Sequence, residues 1–266
     1  MILQNKTAVI YGAGGSIGGA VARVFASAGA RVFLAGHHVR SVQKVADEII
    51  SSGGHAEADE VDALNEKAVN QHLDQVVLRE GKIDISFNAV GVEVVQGIPL
   101  IDLTVNDFVS PVTQTLQTRF LTAAAAGRQM KKQGSGVILS LTATPGGIGY
   151  PCTGGFAPAC CAVEGFSRNL AAELGIYGVR VVNMRSGGSP DSRVFQEAIA
   201  NRPESMKSVL RKMEDDTMLK KLPIMADIAN LALFLSSDLA GRITGVTVDI
   251  TCGTTAGLNY RVESGN

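Results

Sequence analysis

The sequence predicts an α/β chain built on a doubly wound parallel β-sheet, in a single domain, and three patterns lead there. Short β-rich runs alternate with longer stretches of helical periodicity along most of the chain. The runs are close to continuously apolar, as strands are when helices cover both faces of a sheet. The first run is followed at once by a glycine cluster that opens the first helical stretch, Tyr11-Gly12-Ala13-Gly14-Gly15-Ser16-Ile17-Gly18-Gly19.

In chain order, strands are expected at Thr7–Tyr11, 31–35, 83–88, 136–141, 179–185 and 246–250, each rich in Val, Ile, Leu or Phe. Helices are expected between and after them at 17–28, 40–52, 66–80, 113–133, 159–174 and 226–236. Right-handed crossovers place the loops after the strands along one carboxyl edge, where ligands bind in such sheets. Residues 189–222 fit the alternation poorly and read as an inserted helical flap over that edge. No repeat, low-complexity stretch or linker interrupts the pattern, so residues 1–266 are expected to form one unit.

Composition narrows the function. Of 266 residues, 45% are hydrophobic and 18% charged, enough apolar material for a large core and too much for a disordered chain. Lys and Arg number 24 against 25 Asp and Glu, so the basic footprint of a nucleic-acid or anionic-membrane binder is missing. No apolar run approaches the roughly 18 residues of a membrane helix. The stretch MILQNKTAVIYGAGG breaks its apolar run with Gln, Asn and Lys and does not read as a signal peptide. A cytoplasmic protein acting on a small molecule is the expectation. Cys152, Cys160, Cys161 and Cys252 form no Cys-x-x-Cys pair and lie far in sequence from all four histidines, so zinc binding has no spacing to support it. They read as free, mostly buried thiols.

The glycine cluster carries the first chemical signal. Glycine permits a tight turn, and a helix N-terminus offers unpaired N–H groups and a positive dipole end to a pyrophosphate. With these residues in place the chain resembles the short-chain dehydrogenase/reductase family from Leu3 to about Gly253. The family's Thr-Gly-x-x-x-Gly-x-Gly appears as Tyr11-Gly12-Ala13-Gly14-Gly15-Ser16-Ile17-Gly18, with Ser16 at the middle glycine, a variation similar to that of the family's extended branch. Asp62 resembles its adenine-contacting aspartate, and Asn88-Ala89-Val90-Gly91 its Asn-Asn-Ala-Gly turn. Thr244-Gly245 and Gly253 match its C-terminal segment. The resemblance implies a Rossmann-type fold, a nicotinamide dinucleotide held by Gly12, Gly14, Gly15, Ser16, Ile17, Gly18, Asp62, Asn88 and Gly91, and a homotetramer assembled partly through 113–133 and 159–174. The run Ala123–Ala126 suits close helix packing there and equally suits a buried face within one chain.

An acidic residue after the second strand would bind the ribose 2′-OH of NAD and repel a 2′-phosphate. Here the sequence reads Ala35-Gly36-His37-His38-Val39-Arg40. NADP(H) is therefore favoured over NAD(H), with His37, His38 or Arg40 as phosphate partners.

The resemblance also implies an asparagine, a serine and a Tyr-x-x-x-Lys pair that manage the proton while the cofactor carries the hydride. The lysine lowers the tyrosine pKa and holds the nicotinamide ribose. At those positions this chain has Thr115, Ala143, Phe156 and Cys160. The Pro-Gly that lines the nicotinamide pocket has become Gly187-Gly188. No shifted register restores the pair, because Tyr150 comes six residues early and no lysine lies between Lys132 and Lys207. Losing a positioned proton donor forfeits roughly 10²–10⁴ in rate.

Thr142-Ala143-Thr144 is similar to a run in the 2,4-dienoyl-CoA reductase branch, which also lacks the tyrosine but keeps the lysine. Tyr150, Thr142 or Thr144 can donate a proton only by a rearranged route, and a Cys160 or Cys161 nucleophile has no nearby histidine as base. Three readings follow: a dinucleotide-binding relative with its proton-transfer residues lost or replaced, an atypical NADP(H)-dependent reductase acting on a conjugated C=C bond, or a non-enzymatic scaffold or sensor.

Overall fold

A computed structural model describes residues 1–257; the last nine positions of the expected 1–266 unit lie outside the described residues. Seven strands form one parallel sheet: β1 (Thr7–Tyr11), β2 (Arg31–Gly36), β3 (His55–Glu60), β4 (Ile85–Asn88), β5 (Gly136–Ala143), β6 (Val179–Ser186) and β7 (Thr247–Ile250). Their order is β3-β2-β1-β4-β5-β6-β7. The helices are α1 (Ser16–Ser27), α2 (Val39–Ser51), α3 (Glu66–Glu80), α4 (Val105–Gln133), α5 (Phe156–Leu174), α6 (Arg193–Asn201), α7 (Pro203–Asp215) and α8 (Met225–Ser236).

The alternation along β1 shows why a central strand is apolar throughout. Ala8 and Ile10 enter a core shared with Val21, Phe25, Val45 and Ile228 of α1, α2 and α8. Val9 and Tyr11 point the other way, among Val69, Leu73, Ala126 and Ala171 of α3, α4 and α5. Successive side chains of a strand face opposite ways, so a sheet covered twice needs apolar residues at every position.

Sheet growth reverses between β1 and β4, and such a switch point opens a crevice at the carboxyl ends of the strands. Tyr11 lies opposite Asn88 in the β1–β4 register, so the glycine loop and the Asn88–Gly91 turn leave the sheet side by side.

Two elements depart from the sequence expectation. β3 was not expected, because HAEADE has no apolar run and no fully buried residue. It pairs only with β2, and its acidic side chains discourage further pairing at this sheet edge. α4 begins at Val105 rather than at 113, with the Thr104 hydroxyl accepting the Asp107 N–H at 3.1 Å. It runs through Pro111, which forgoes one backbone hydrogen bond and packs against Gly155, where a Cβ would come within 2.7 Å of the proline ring. The 189–222 segment contains two helices, α6 and α7. Among the described residues no helix is long and apolar enough to cross a membrane.

Candidate active site

The glycine loop fits a dinucleotide on its own geometry. Gly12 has φ of +77°, and a Cβ on it would lie 2.7 Å from the Ala89 carbonyl carbon. A Cβ on Gly18 would lie 2.3 Å from the Gly12 carbonyl oxygen, so helix and strand close up only with glycine at both. Gly14 is pressed against the Ser41 side chain of α2. Gly15 is the N-cap of α1 and supplies no side-chain acceptor, which leaves the first helical N–H groups, beginning with Ser16, Ile17 and Gly18, for a ligand. The Ser16 hydroxyl accepts the Arg193 N–H at 2.9 Å, tying the start of α6 to this loop. No signal in the sequence announced that contact.

Around the adenine end, His37 and His38 are exposed, with ring centroids 4.9 Å apart, and Arg40 is exposed on the first turn of α2. No carboxylate stands between Gly36 and Ser41. Asp62 is exposed and accepts the Leu64 N–H at 2.9 Å. Asn88 is used differently from a ligand contact. Its amide donates to the Thr118 carbonyl (3.1 Å) and the Thr122 hydroxyl (2.9 Å), while its oxygen accepts the Val90 N–H (2.9 Å). It clips β4 to α4 and shapes the turn that carries exposed Gly91.

Of the four expected catalytic positions, Ala143 and Cys160 lie against each other. Phe156 opens α5 and Ala143 ends β5. Thr115 is half-buried on α4, and its carbonyl accepts the Thr118 hydroxyl at 3.0 Å. The Ala143 N–H faces the sulfur of Cys160, which lies buried behind it. Burial pushes the Cys160 thiol up to about 11, opposed by that N–H and by the charge of Arg119. It is a neutral thiol at pH 7, which argues against a thiolate nucleophile.

The hydroxyls considered as substitute donors are occupied. Thr142 donates to Glu164 Oε1 (2.9 Å) and accepts from the Asn183 amide (2.7 Å), inside the α5–β6 packing. Thr144 donates to the Ser186 carbonyl at 3.3 Å. Glu164 in turn receives Arg185 through two bonds, Nε to Oε1 at 3.0 Å and Nη2 to Oε2 at 2.7 Å. Its bond to Glu164 is the main reason Arg185 sits above the usual guanidinium range. Tyr150 is 41% exposed in the loop after β5, and its carbonyl accepts the Thr153 hydroxyl. Gly188 lies under the flap: a Cβ there would meet Met213 at 2.5 Å and Phe195 at 2.9 Å.

Sequence reasoning missed Arg119. It is 5% exposed on α4, with Nη1 donating to the Val90 carbonyl at 2.9 Å and Nη2 pointing at the Leu141 carbonyl at 3.5 Å. Burial lowers its pKa to about 10, so it stays charged at neutral pH. Its place one turn after Thr115, facing the same way, was the only available signal.

A family model described as enoyl-(acyl carrier protein) reductase matches residues 12–255. An uncharacterized oxidoreductase of Thermotoga maritima is 31% identical over 256 residues, 96% of this chain and all of its own. The 7alpha-hydroxysteroid dehydrogenase of Escherichia coli K12 is 30% identical over 97% of both chains. Among solved structures, levodione reductase superimposes with a TM-score of 0.89 at 25% identity, covering 96% of this chain and 100% of its own. Sorbitol-6-phosphate 2-dehydrogenase from Erwinia amylovora gives 0.86 at 26% identity, over 93% and 98%. With the sheet order, the glycine cradle and these likenesses over nearly the full length, the chain belongs to the short-chain dehydrogenase/reductase family, an oxidoreductase-like, nicotinamide-dinucleotide-binding Rossmann fold.

Proposed function

We propose that the chain is an NADP(H)-dependent oxidoreductase with atypical acid–base chemistry, reducing a C=C bond conjugated to a carbonyl, as in an enone or enoyl thioester. One observation carries this reading. Positions 143, 156 and 160 carry an alkyl group, an apolar ring and a buried neutral thiol that lies against the Ala143 N–H. None is matched to protonating an alkoxide, the demand that ketone reduction makes. A conjugated C=C asks for less, because negative charge spreads into the carbonyl and the carbon can be protonated from water. The family model's description as an enoyl reductase points the same way.

A nicotinamide dinucleotide held here would supply the hydride. The α1 N-terminus would hold the pyrophosphate, and His37, His38 and Arg40, on a turn with no carboxylate, would hold a 2′-phosphate. Assembly as a homotetramer through α4 and α5 is part of the same proposal, supported by Phe120, 53% exposed, edge-on to Phe166 at 6.1 Å. Four free thiols suit a reducing, cytoplasmic setting.

The occupied Thr142 and Thr144 hydroxyls favour a second reading, a protein that holds the dinucleotide without turnover. Calorimetric titration with NADPH and NADH, then NADPH oxidation against enones, enoyl thioesters and simple ketones, separates the two. The first reading expects tighter NADPH binding and turnover on the conjugated substrates alone. Turnover of simple ketones near ordinary enzyme rates of about 1–10³ s⁻¹ would overturn it.

A further inference from the structure

A buried cation without a counter-ion stands at the floor of the crevice. Among the described residues no carboxylate pairs with Arg119; Glu164 and Asp249, the acids of the neighbouring network, both go to Arg185. Its fork reaches the Val90 and Leu141 carbonyls, at the ends of β4 and β5, where the sheet presents its ligand edge. Cys160, a neutral thiol, lies close enough to feel the charge of Arg119. Nε has no partner. A cavity of about 10 Å³, shared with Asn88, Thr122, Ser140 and Ser167, has room for one water that could satisfy Nε. A water leaves the charge uncompensated. Burying an unpaired charge is expensive, and a polyol or anionic ligand end over the crevice offsets that cost.

We propose that Arg119 supplies, from α4, the positive charge that position 160 on α5 lacks, and that it positions the nicotinamide-ribose end of the dinucleotide. The proposal rests on the dinucleotide reading above. Arg119 is a positioning residue: it acts through the Val90 turn and through its field rather than on the reacting atoms. A cation at this floor can arrive from either helix, and the sequence positions alone hide that equivalence.

The test compares NADPH with 2′,5′-ADP, which carries only the adenine end, by calorimetry. The proteins are wild type, Arg119→Gln, Arg119→Lys, Cys160→Lys and the Arg119→Gln/Cys160→Lys double variant. Arg119→Gln should weaken NADPH about tenfold, roughly one charge-assisted hydrogen bond, and leave 2′,5′-ADP unchanged. Arg119→Lys should retain most of the affinity. The double variant should regain it, because the charge returns from α5. Cys160→Lys alone crowds two cations and should bind NADPH no better than wild type. Equal loss of both ligands in Arg119→Gln, or no rescue in the double variant, would reduce Arg119 to a strap between β4 and β5. Should Arg119→Gln fail to fold, Cys160→Lys still decides: tenfold tighter NADPH binding there would mean that the floor had lacked a charge, and would overturn the proposal. A wild type that binds neither ligand overturns the dinucleotide reading, and this proposal with it.

Discussion

The two sides of the crevice are built on different terms. On the β1–β4 side, glycines leave backbone bare: Gly12 and Gly18 admit no Cβ, and Gly15 caps α1 without a side chain. On the β5–β6 side, side chains close on one another, through Thr142, Glu164, Asn183, Arg185 and Asp249. The difference separates what the fold requires from what chemistry requires. Gly18 is forced by helix–strand contact whether or not a ligand binds. Positions 143, 156 and 160 serve packing equally well as Ala, Phe and Cys, so the fold survives their change. An intact glycine loop is therefore weaker support for function than it looks.

That distinction can be broken within the loop itself. Gly18→Val would drive a branched side chain into the Gly12 carbonyl and should cost about 3 kcal/mol or more of stability, with loss of binding as a consequence. Gly15 has φ of −84°, and a Cβ there meets only the Gly12 carbonyl, at 3.3 Å. Gly15→Val should keep most of the stability and still lose NADPH affinity by blocking the helix end. Denaturant melts beside calorimetry decide; equal destabilisation by both would mean that the loop is purely structural.

On the other side, the Glu164–Arg185 pair is the element to remove. Their side chains are 9% and 14% exposed. Arg185→Met leaves a buried carboxylate without its counter-charge and with the Thr142 hydroxyl as its remaining donor, so about 3 kcal/mol should be lost, whereas replacing both partners by apolar residues of similar size should cost much less. Equal melts for the single and the double replacement would show that the pair contributes by packing rather than by charge.

Third comes restoring the lost groups. Phe156→Tyr alone adds a hydroxyl with pKa near ~10, poorly tuned at neutral pH. Cys160→Lys alone sets an ammonium beside Arg119. With Ala143→Ser, the three together should raise ketone reduction by about 10²-fold over background, more than the product of the single gains. A wild type already as fast as the triple variant would mean that other residues perform proton transfer.

What was legible in the sequence follows the same division. β1, β2, β4 and β5 announced themselves because burial on both faces leaves an apolar run; β7, the other edge strand, was found although none of its residues is fully buried. β3 did not, because an edge strand buries little and HAEADE carries its pairing in the backbone alone. The start of α4 was missed: Thr104 and Asp107 form its cap, and the helix runs on through Pro111. Of the site, the glycine cradle was legible because glycine reports backbone geometry directly. Asn88 was placed correctly in the chain, but its amide turns inward to α4. Arg119 was invisible because proximity across α4, β4 and α5 is a tertiary fact.

The smallest effect tests the edge remote from the chemistry. Asp59 of β3 faces His72 of α3, with Nε2 to Oδ2 at 3.4 Å, beside the ring of Tyr11 at 6.0 Å. The nearby His72 side chain holds the Asp59 carboxyl below the usual carboxylate range, with burial opposing and Arg79 helping. A group whose folded pKa is depressed contributes stability above its unfolded pKa, near ~3.9, and loses it as pH falls through the folded value. This contact should therefore be fully present at neutral pH and fade below about pH 4. Asp59 is partly exposed, so water screens the pair and the effect is small. His72→Phe should lower the melting temperature by about 1–2 °C at pH 7. The difference from wild type should shrink in acid, as Asp59 protonates in both proteins. A difference that stays constant from pH 7 to pH 3 would assign it to packing of the ring against Tyr11, leaving the carboxylate no part in holding β3 to the sheet.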